Sequence, residues 1–286
     1  MTAKPDIREF FRVLLAQGDF ARAGAWLDQN RDCDPAIVLG LRGHLARCSG
    51  QLDEAERYYQ AALAADPRKV RNAIALSILQ GACPPPLQGI APSPFHRRQQ
   101  WLPLELHGAL VNYVQAQPDQ FTPIESGHLR LADHSFRRTR SQPLAGIRDW
   151  ICTQLEEICA EHWVNLAVPK FNLARFEGKL TGYGPGGAFP IHRDRSSQHP
   201  DRVLSYVYTF ELGPARFQGG EFRLYDEDTT SGDCDPVGFT TFVHTDNALL
   251  VFPSARLHEL RPVFPSAPEF SHYRFAITGH IRKTMP

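Results

Sequence analysis

The chain has 286 residues, 31 Lys plus Arg against 31 Asp plus Glu, and a hydrophobic content of 42%. That length suits one large domain or two modest ones of about 100–200 residues, and the even charge excludes a general pull toward nucleic acid or a membrane surface. Six scattered cysteines, Cys33, Cys48, Cys83, Cys152, Cys159 and Cys234, form no CxxC pair and read as free thiols of a reducing compartment.

The N-terminus, MTAKPDIREFFRVLLAQGDF, carries acidic residues where a signal peptide would not, and no apolar run nears the roughly 20 residues of a membrane span. A cytoplasmic protein without a membrane or nucleic-acid partner is the expectation. From Asp6 to about Leu79 the chain is rich in Ala, Leu and Arg, which favours helix. Within it, Leu39, Gly43, Ala55, Tyr59, Ala62 and Pro67 fall where paired helices approach closely, and residues 36–67 resemble a tetratricopeptide repeat. Gly18-Asp19-Phe20 with Ala23 and Leu27 echoes that pattern. One repeat and a partial one fall short of the about three units that a solenoid needs, so these helices are expected to pack on other parts of the chain. They read as a support or a homodimer surface, with a peptide-binding groove as the alternative.

Prolines after Gly81, among them Pro84-Pro85-Pro86, break helix and mark a linker. A short helix is predicted over 102–117, the stretch 121–141 is too mixed to assign, and 144–163 has apolar residues at helical spacing. After Asn165 the pattern changes to short strands between Gly and Pro turns: 171–176, 203–212, 221–225, 248–252, 259–263 and 273–281. Such a series suggests an antiparallel sandwich or jelly roll. The predicted fold class is therefore α+β, with a helical tetratricopeptide-like region at 1–80, a proline-rich linker at 81–95 and a jelly roll with flanking helices at 96–286.

The chemistry concentrates in this last region. His192-Arg193-Asp194, then His258 in FPSARLHELRPV, then Arg274 in HYRFAITGHIRK supply two imidazoles, a carboxylate and a cation. Two imidazoles and a carboxylate on one face of a metal are what a non-haem Fe(II) oxygenase needs. Strand residues two apart share a face, so His192 and Asp194 can share one ion. Two rival triplets compete: His199-Pro200-Asp201 reads as loop, and His244-Thr245-Asp246 as a turn before an apolar strand. Arg274 lies in a run that reads as a buried strand, where a charge is costly unless a carboxylate meets it.

The order of motifs, Tyr183 and a glycine-rich stretch, His192-Arg193-Asp194, SYVYTFEL, Gly219-Gly220-Glu221, VFPSARLHELRPV and YRFAITGHIRK, resembles the prolyl-4-hydroxylase-like branch of the Fe(II)/2-oxoglutarate-dependent dioxygenases over roughly 165–283. The resemblance implies a double-stranded β-helix, Fe(II) held by His192, Asp194 and His258, and a 2-oxoglutarate carboxylate gripped by Arg274. It also implies that Tyr208 assists Arg274, with Tyr206 on the same strand face as the alternative, that Tyr183 lines the pocket, and that Thr278 stands behind the ligands. The implied reaction consumes 2-oxoglutarate and O2 and hydroxylates an unactivated C–H bond, releasing succinate and CO2. A carboxylate ligand favours hydroxylation over halogenation. His280 departs from the family's common aromatic residue and reads as part of the pocket wall, and FPSAPEFSH lengthens the link between His258 and Arg274. The acidic stretch 225–238 reads as a solvated loop or a cover for the site. A peptidyl, prolyl-like substrate leads; a free amino acid or small natural product is the alternative. A non-catalytic binding protein with a relict barrel, and a cupin-like metalloenzyme that uses no 2-oxo acid, are the other classes.

Overall fold

The computed structural model describes residues 6–84, 89–123, 128–131, 142–214 and 216–285. In chain order its helices are α1 (Ile7–Ala16), α2 (Phe20–Gln29), α3 (Pro35–Cys48), α4 (Leu52–Ala65), α5 (Val70–Leu79), α6 (Leu104–Gln115) and α7 (Gln142–His162). Its strands are β1 (Ile90–Ala91), β2 (His96–Gln99), β3 (Phe121–Pro123), β4 (His128–Leu131), β5 (Leu173–Tyr183), β6 (Phe189–His192) and β7 (Arg202–Phe210). They continue with β8 (Phe217–Gly219), β9 (Phe222–Asp228), β10 (Cys234–Phe242), β11 (Ala248–Pro253), β12 (His258–Leu260), β13 (Val263–Pro265) and β14 (Arg274–Lys283). Helices first and antiparallel strands after make the chain α+β. Among the described residues no helix is long and apolar enough to cross a membrane.

The chain divides into two compact units, one of Met1–Ser93 with Arg223–Phe242 and one of Pro94–Phe222 with Val243–Pro286. In the first, α1 to α3 each start on an aspartate, Asp6, Asp19 and Asp34, whose carboxylate accepts a backbone N–H of the first turn. Helices α3 and α4 approach closely because Gly43 has no side chain: a Cβ there would meet the Tyr59 ring at 2.7 Å. The same unit contains the acidic stretch that reads as loop from sequence. Strands β9 and β10 pair there, and Ile90 and Ala91 of β1 add to β9 opposite Asp228 and Glu227. Val237 of β10 joins the apolar cluster of Phe11, Leu14, Leu15, Ala23 and Leu27. Arg47, 2% exposed, donates to Asp226 Oδ1 at 2.6 Å and to Thr240 Oγ1 at 3.0 Å. Arg12 pairs with Asp235 at 2.9 Å. Residues 85–88 of the predicted linker, and 124–127 and 132–141 of the unassigned stretch, lie outside the described residues.

In the second unit a seven-stranded sheet runs β2-β11-β7-β14-β5-β4-β3. Its alternation sorts side chains by period two. On β14, Phe275, Ile277 and Ile281 join the core with Ile147, Ile151, Leu155 and Ile158 of α7 and Leu110 and Val114 of α6. Arg274, Thr278, His280 and Arg282, on the other face, line a cavity of about 350 Å³. Strand β5 extends well past the predicted 171–176, because its glycines are not turns. Gly182 gives room to Phe275, whose ring would lie 2.9 Å from a Cβ, and Gly178 stands opposite Gly279. The predicted strand 259–263 is instead β12 and β13, separated by Arg261-Pro262, where proline offers no N–H to a ladder.

The buried Arg47–Asp226 pair predicts a specific stability pattern. Arg47→Met leaves an unpaired buried carboxylate and should destabilise the helical unit by about 3–5 kcal/mol, while the double variant Arg47→Met/Asp226→Leu recovers most of the loss. Denaturant unfolding followed by circular dichroism measures both.

Candidate metal centre

Strands β6 and β12 pair antiparallel with His258 directly opposite His192. That register sets the two imidazole centroids 4.2 Å apart at 57°. Asp194 lies just beyond the end of β6, and its carboxylate reaches both rings: Oδ1 is 3.4 Å from His192 Nε2, and Oδ2 is 3.4 Å from His258 Nε2. One donor atom from each of the three lies within 4.8 Å of the others, the cluster of this kind among the described residues. His192 Nδ1 lies 2.8 Å from Pro190 O and His258 Nδ1 3.0 Å from Arg256 O. A carbonyl only accepts, so each Nδ1 carries a proton, and the bond turns each ring so that Nε2 is directed at the cluster.

Electrostatics match. Burial pushes the His258 imidazole down to about 4, so it is neutral at neutral pH. Burial also pushes the Asp194 carboxyl up, but His192, His258, His280 and the Ser205 hydroxyl outweigh it and hold it well below the usual carboxylate range. Phe189, Phe252 and Phe222 pack on the imidazoles with ring centroids 4.4, 4.8 and 5.4 Å away. Two imidazole nitrogens and one carboxylate oxygen in an aromatic-walled cavity fit Fe(II).

Arg274 lines the same cavity at 2% exposure. Its Nε donates to Gly220 O at 2.9 Å, and its guanidinium carbon lies 5.5 Å from the ring of Tyr183, its cross-strand partner. No protein carboxylate forms an ion pair with Arg274 among the described residues. Burial pulls it down to about 10, with Tyr183 and Glu221 opposing, and it remains a cation at neutral pH. Gly220 has φ +69, and a Cβ there would sit 2.8 Å from Arg274 Cδ. The Gly219-Gly220 turn thus makes room for the arginine and also accepts its hydrogen bond.

Tyr183, Thr278 and His280 line the cavity, and His280 Nδ1 is 3.7 Å from Asp194 Oδ2. Tyr208 does not reach it: on the core face of β7, its hydroxyl donates to Asn247 Oδ1 at 3.0 Å and lies 2.9 Å from His107 Nδ1. Tyr206 shares that core cluster and donates to Glu177 O at 2.8 Å, at the edge of the cavity. The rival triplets are otherwise engaged. Asp201 is held by Arg282 at 2.8 Å, and Asp246 lies 3.2 Å from His107 and accepts from Glu211 N at 2.9 Å. Sequence reasoning misses Ser205 and Ser254. Ser205 donates to Asp194 Oδ2 at 2.6 Å and lies 2.8 Å from Ser254 Oγ. The available signal is a small polar residue on the cavity face of an apolar strand, two before Val207.

Residues 178–282 match the profile of the 2OG-Fe(II) oxygenase superfamily, and this stretch carries the three donors and Arg274. This part of the chain is similar to that superfamily. The oxygenase region's cofactor is Fe(II), with 2-oxoglutarate and O2 as cosubstrates. An uncharacterized PKHD-type hydroxylase of Synechocystis sp. is 34% identical over 141 residues, 49% of this chain and 45% of the relative. The chain thus spans about half the length of that curated relative. Among solved structures, a Pseudomonas putida prolyl-4-hydroxylase has a TM-score of 0.47 at 20% identity, covering 67% of this chain and 93% of that one. A Phytophthora capsici prolyl 4-hydroxylase has a TM-score of 0.49 at 19% identity, covering 77% of this chain and 66% of that one.

A metal held by this one cluster predicts that Asp194→Ala and His258→Ala each weaken Co(II) binding by roughly 100-fold or more, whereas His199→Ala leaves it unchanged. Calorimetric titration of the metal-free variants distinguishes the triplets.

Proposed function

We propose that the protein is an Fe(II)- and 2-oxoglutarate-dependent dioxygenase that hydroxylates an unactivated C–H bond. The observation that carries this reading is a buried arginine without a carboxylate partner among the described residues, in one cavity with a face of two histidines and an aspartate. His192, Asp194 and His258 hold the ion, and three protein donors leave coordination positions for a chelating 2-oxo acid and for O2. When bound, Fe(II) supplies the oxidising chemistry that couples loss of CO2 from 2-oxoglutarate to hydroxylation of the substrate. One oxygen atom of O2 enters succinate and the other the new hydroxyl.

The chain's own residues bind, orient and exclude water. Arg274 pairs the distal carboxylate of 2-oxoglutarate with the nitrogens not used on Gly220 O, a geometry that suits a planar guanidinium. Tyr183 packs beside it, and Phe189, Phe222 and Phe252 pack on the two imidazoles and limit the water that reaches them. We read the strand-rich region as a double-stranded β-helix and the N-terminal helices as tetratricopeptide-like. A prolyl-like peptidyl side chain is the first substrate class, with a free amino acid or small natural product as the second. The helices offer a surface for a peptide or a second copy of the chain, and six free cysteines suit a reducing cytoplasm.

Succinate release by Fe(II)-loaded protein across peptides, free amino acids and small metabolites tests the reading. Stimulation by one class identifies the substrate, and no 2-oxoglutarate turnover with any of them would refute the proposal. Arg274→Met should raise the 2-oxoglutarate dissociation constant by roughly 100-fold, about 2.7 kcal/mol, with Co(II) affinity preserved. Anaerobic titration of the two ligands in turn separates these effects.

A further inference from the structure

The Asp194 carboxylate is met from the protein side by a pair of buried hydroxyls. Ser205 is 2% exposed and Ser254 0%. Ser205 Oγ lies 2.6 Å from Asp194 Oδ2 and 2.8 Å from Ser254 Oγ. An ionised carboxylate only accepts, so Ser205 gives its single proton to Oδ2. Its oxygen is then left with lone pairs, and Ser254 becomes the donor in the second bond. Both hydroxyls therefore have one permitted direction, and the two bonds run in series toward the carboxylate.

The backbone holds this pair from two sides. Ser205 sits within β7, between β11 and β14, opposite Phe252 and His280. Ser254 N donates to Val203 O at 3.0 Å, and Ser254 O accepts from Arg195 N, the residue after Asp194, at 2.9 Å. Arg202 Nη1 also touches Asp194, but through the backbone carbonyl at 3.1 Å, so it restrains the chain and leaves the carboxylate's rotation free. Both oxygens face an imidazole, Oδ1 at 3.4 Å from His192 Nε2 and Oδ2 at 3.4 Å from His258 Nε2 and 3.7 Å from His280 Nδ1, but among the described residues only Oδ2 also takes a hydroxyl bond, from Ser205.

The geometry points to Ser205, backed by Ser254, as a positioning residue that commits Asp194 Oδ2 to the protein and leaves Oδ1 as the oxygen available to the ion. This rests on the metal-centre reading above. A carboxylate can offer both oxygens to one cation. Holding one of them back fixes how many ligand positions the protein occupies, and so how many remain for other ligands.

The test uses the metal-free whole chain titrated with Co(II), reading affinity and the visible ligand-field spectrum, with circular dichroism and thermal unfolding of each metal-free variant. Ser205→Ala should weaken Co(II) about 10–100-fold and change the spectrum. Ser205→Thr, which keeps the hydroxyl, should restore most of the affinity and the spectrum, and Ser254→Ala should show a smaller loss in the same direction. A folded Ser205→Ala protein with unchanged affinity and spectrum overturns the inference, as does a folded Ser205→Thr protein no better than Ser205→Ala. Where Ser205→Ala does not fold, Ser254→Ala decides, and no change in it overturns the inference. Failure of the unsubstituted chain to bind Co(II) refutes the metal-centre reading itself.

Discussion

The placement of His258 opposite His192 is the constraint on which the rest of the cavity depends. Side chains in a strand alternate between faces, so a slip of one residue in the β6–β12 register would carry His258 away from the cluster and put Leu257 or Glu259 in its place. Strand β12 has only three residues, too few to fix a register by its own hydrogen bonds. What pins it lies on either side. The Nδ1 bond to Arg256 O orients the ring, Phe222 and Phe252 enclose it, and Pro262 ends the strand while its carbonyl accepts from Gly220 N. Through Gly220 the same short segment reaches Arg274, so the placement of the cation follows from that of the histidine.

Arg47 and Arg274, each 2% exposed, are the least exposed arginines among the described residues, and the protein treats them differently. Arg47 is neutralised within the chain by Asp226. Arg274 has a carbonyl, a tyrosine face and no ion pair among the described residues. An uncompensated buried charge is among the more costly features a fold can carry. Such a cost is tolerated where the missing counter-charge arrives with a ligand, and the position of Arg274 in the wall of the metal-centre cavity fits that logic.

Much of the site is legible in the sequence because strand spacing and residue chemistry act locally. His192 and Asp194 are neighbours in the chain, and both His258 and Arg274 stand in motifs with strong apolar framing. The helices at 104–115 and 142–162 and the N-terminal series follow from periodicity in the same way. What is not legible depends on partners distant in sequence. Period two puts Tyr206 and Tyr208 on one face but cannot say which face is core, and Asn247 and His107 hold Tyr208 there. The glycines of β5 look like turns until their opposite strand is known. The acidic stretch before Gly238 looks like a solvated loop because its charges are visible, whereas Arg12 and Arg47, which receive two of those charges, lie about 180 to 220 positions earlier.

That last feature bears on the order in which the chain acquires structure. Arg47 emerges from the ribosome long before Asp226, and so do the apolar faces of α1 and α2 before Val237. The N-terminal helices form early, since their contacts are mostly local. Their final closure waits for β10, which follows β5, β6 and β7 in the chain. A break in translation before β10 would therefore release helices with an unpaired buried arginine and an open apolar seam, the kind of surface that holdase chaperones and proteases recognise.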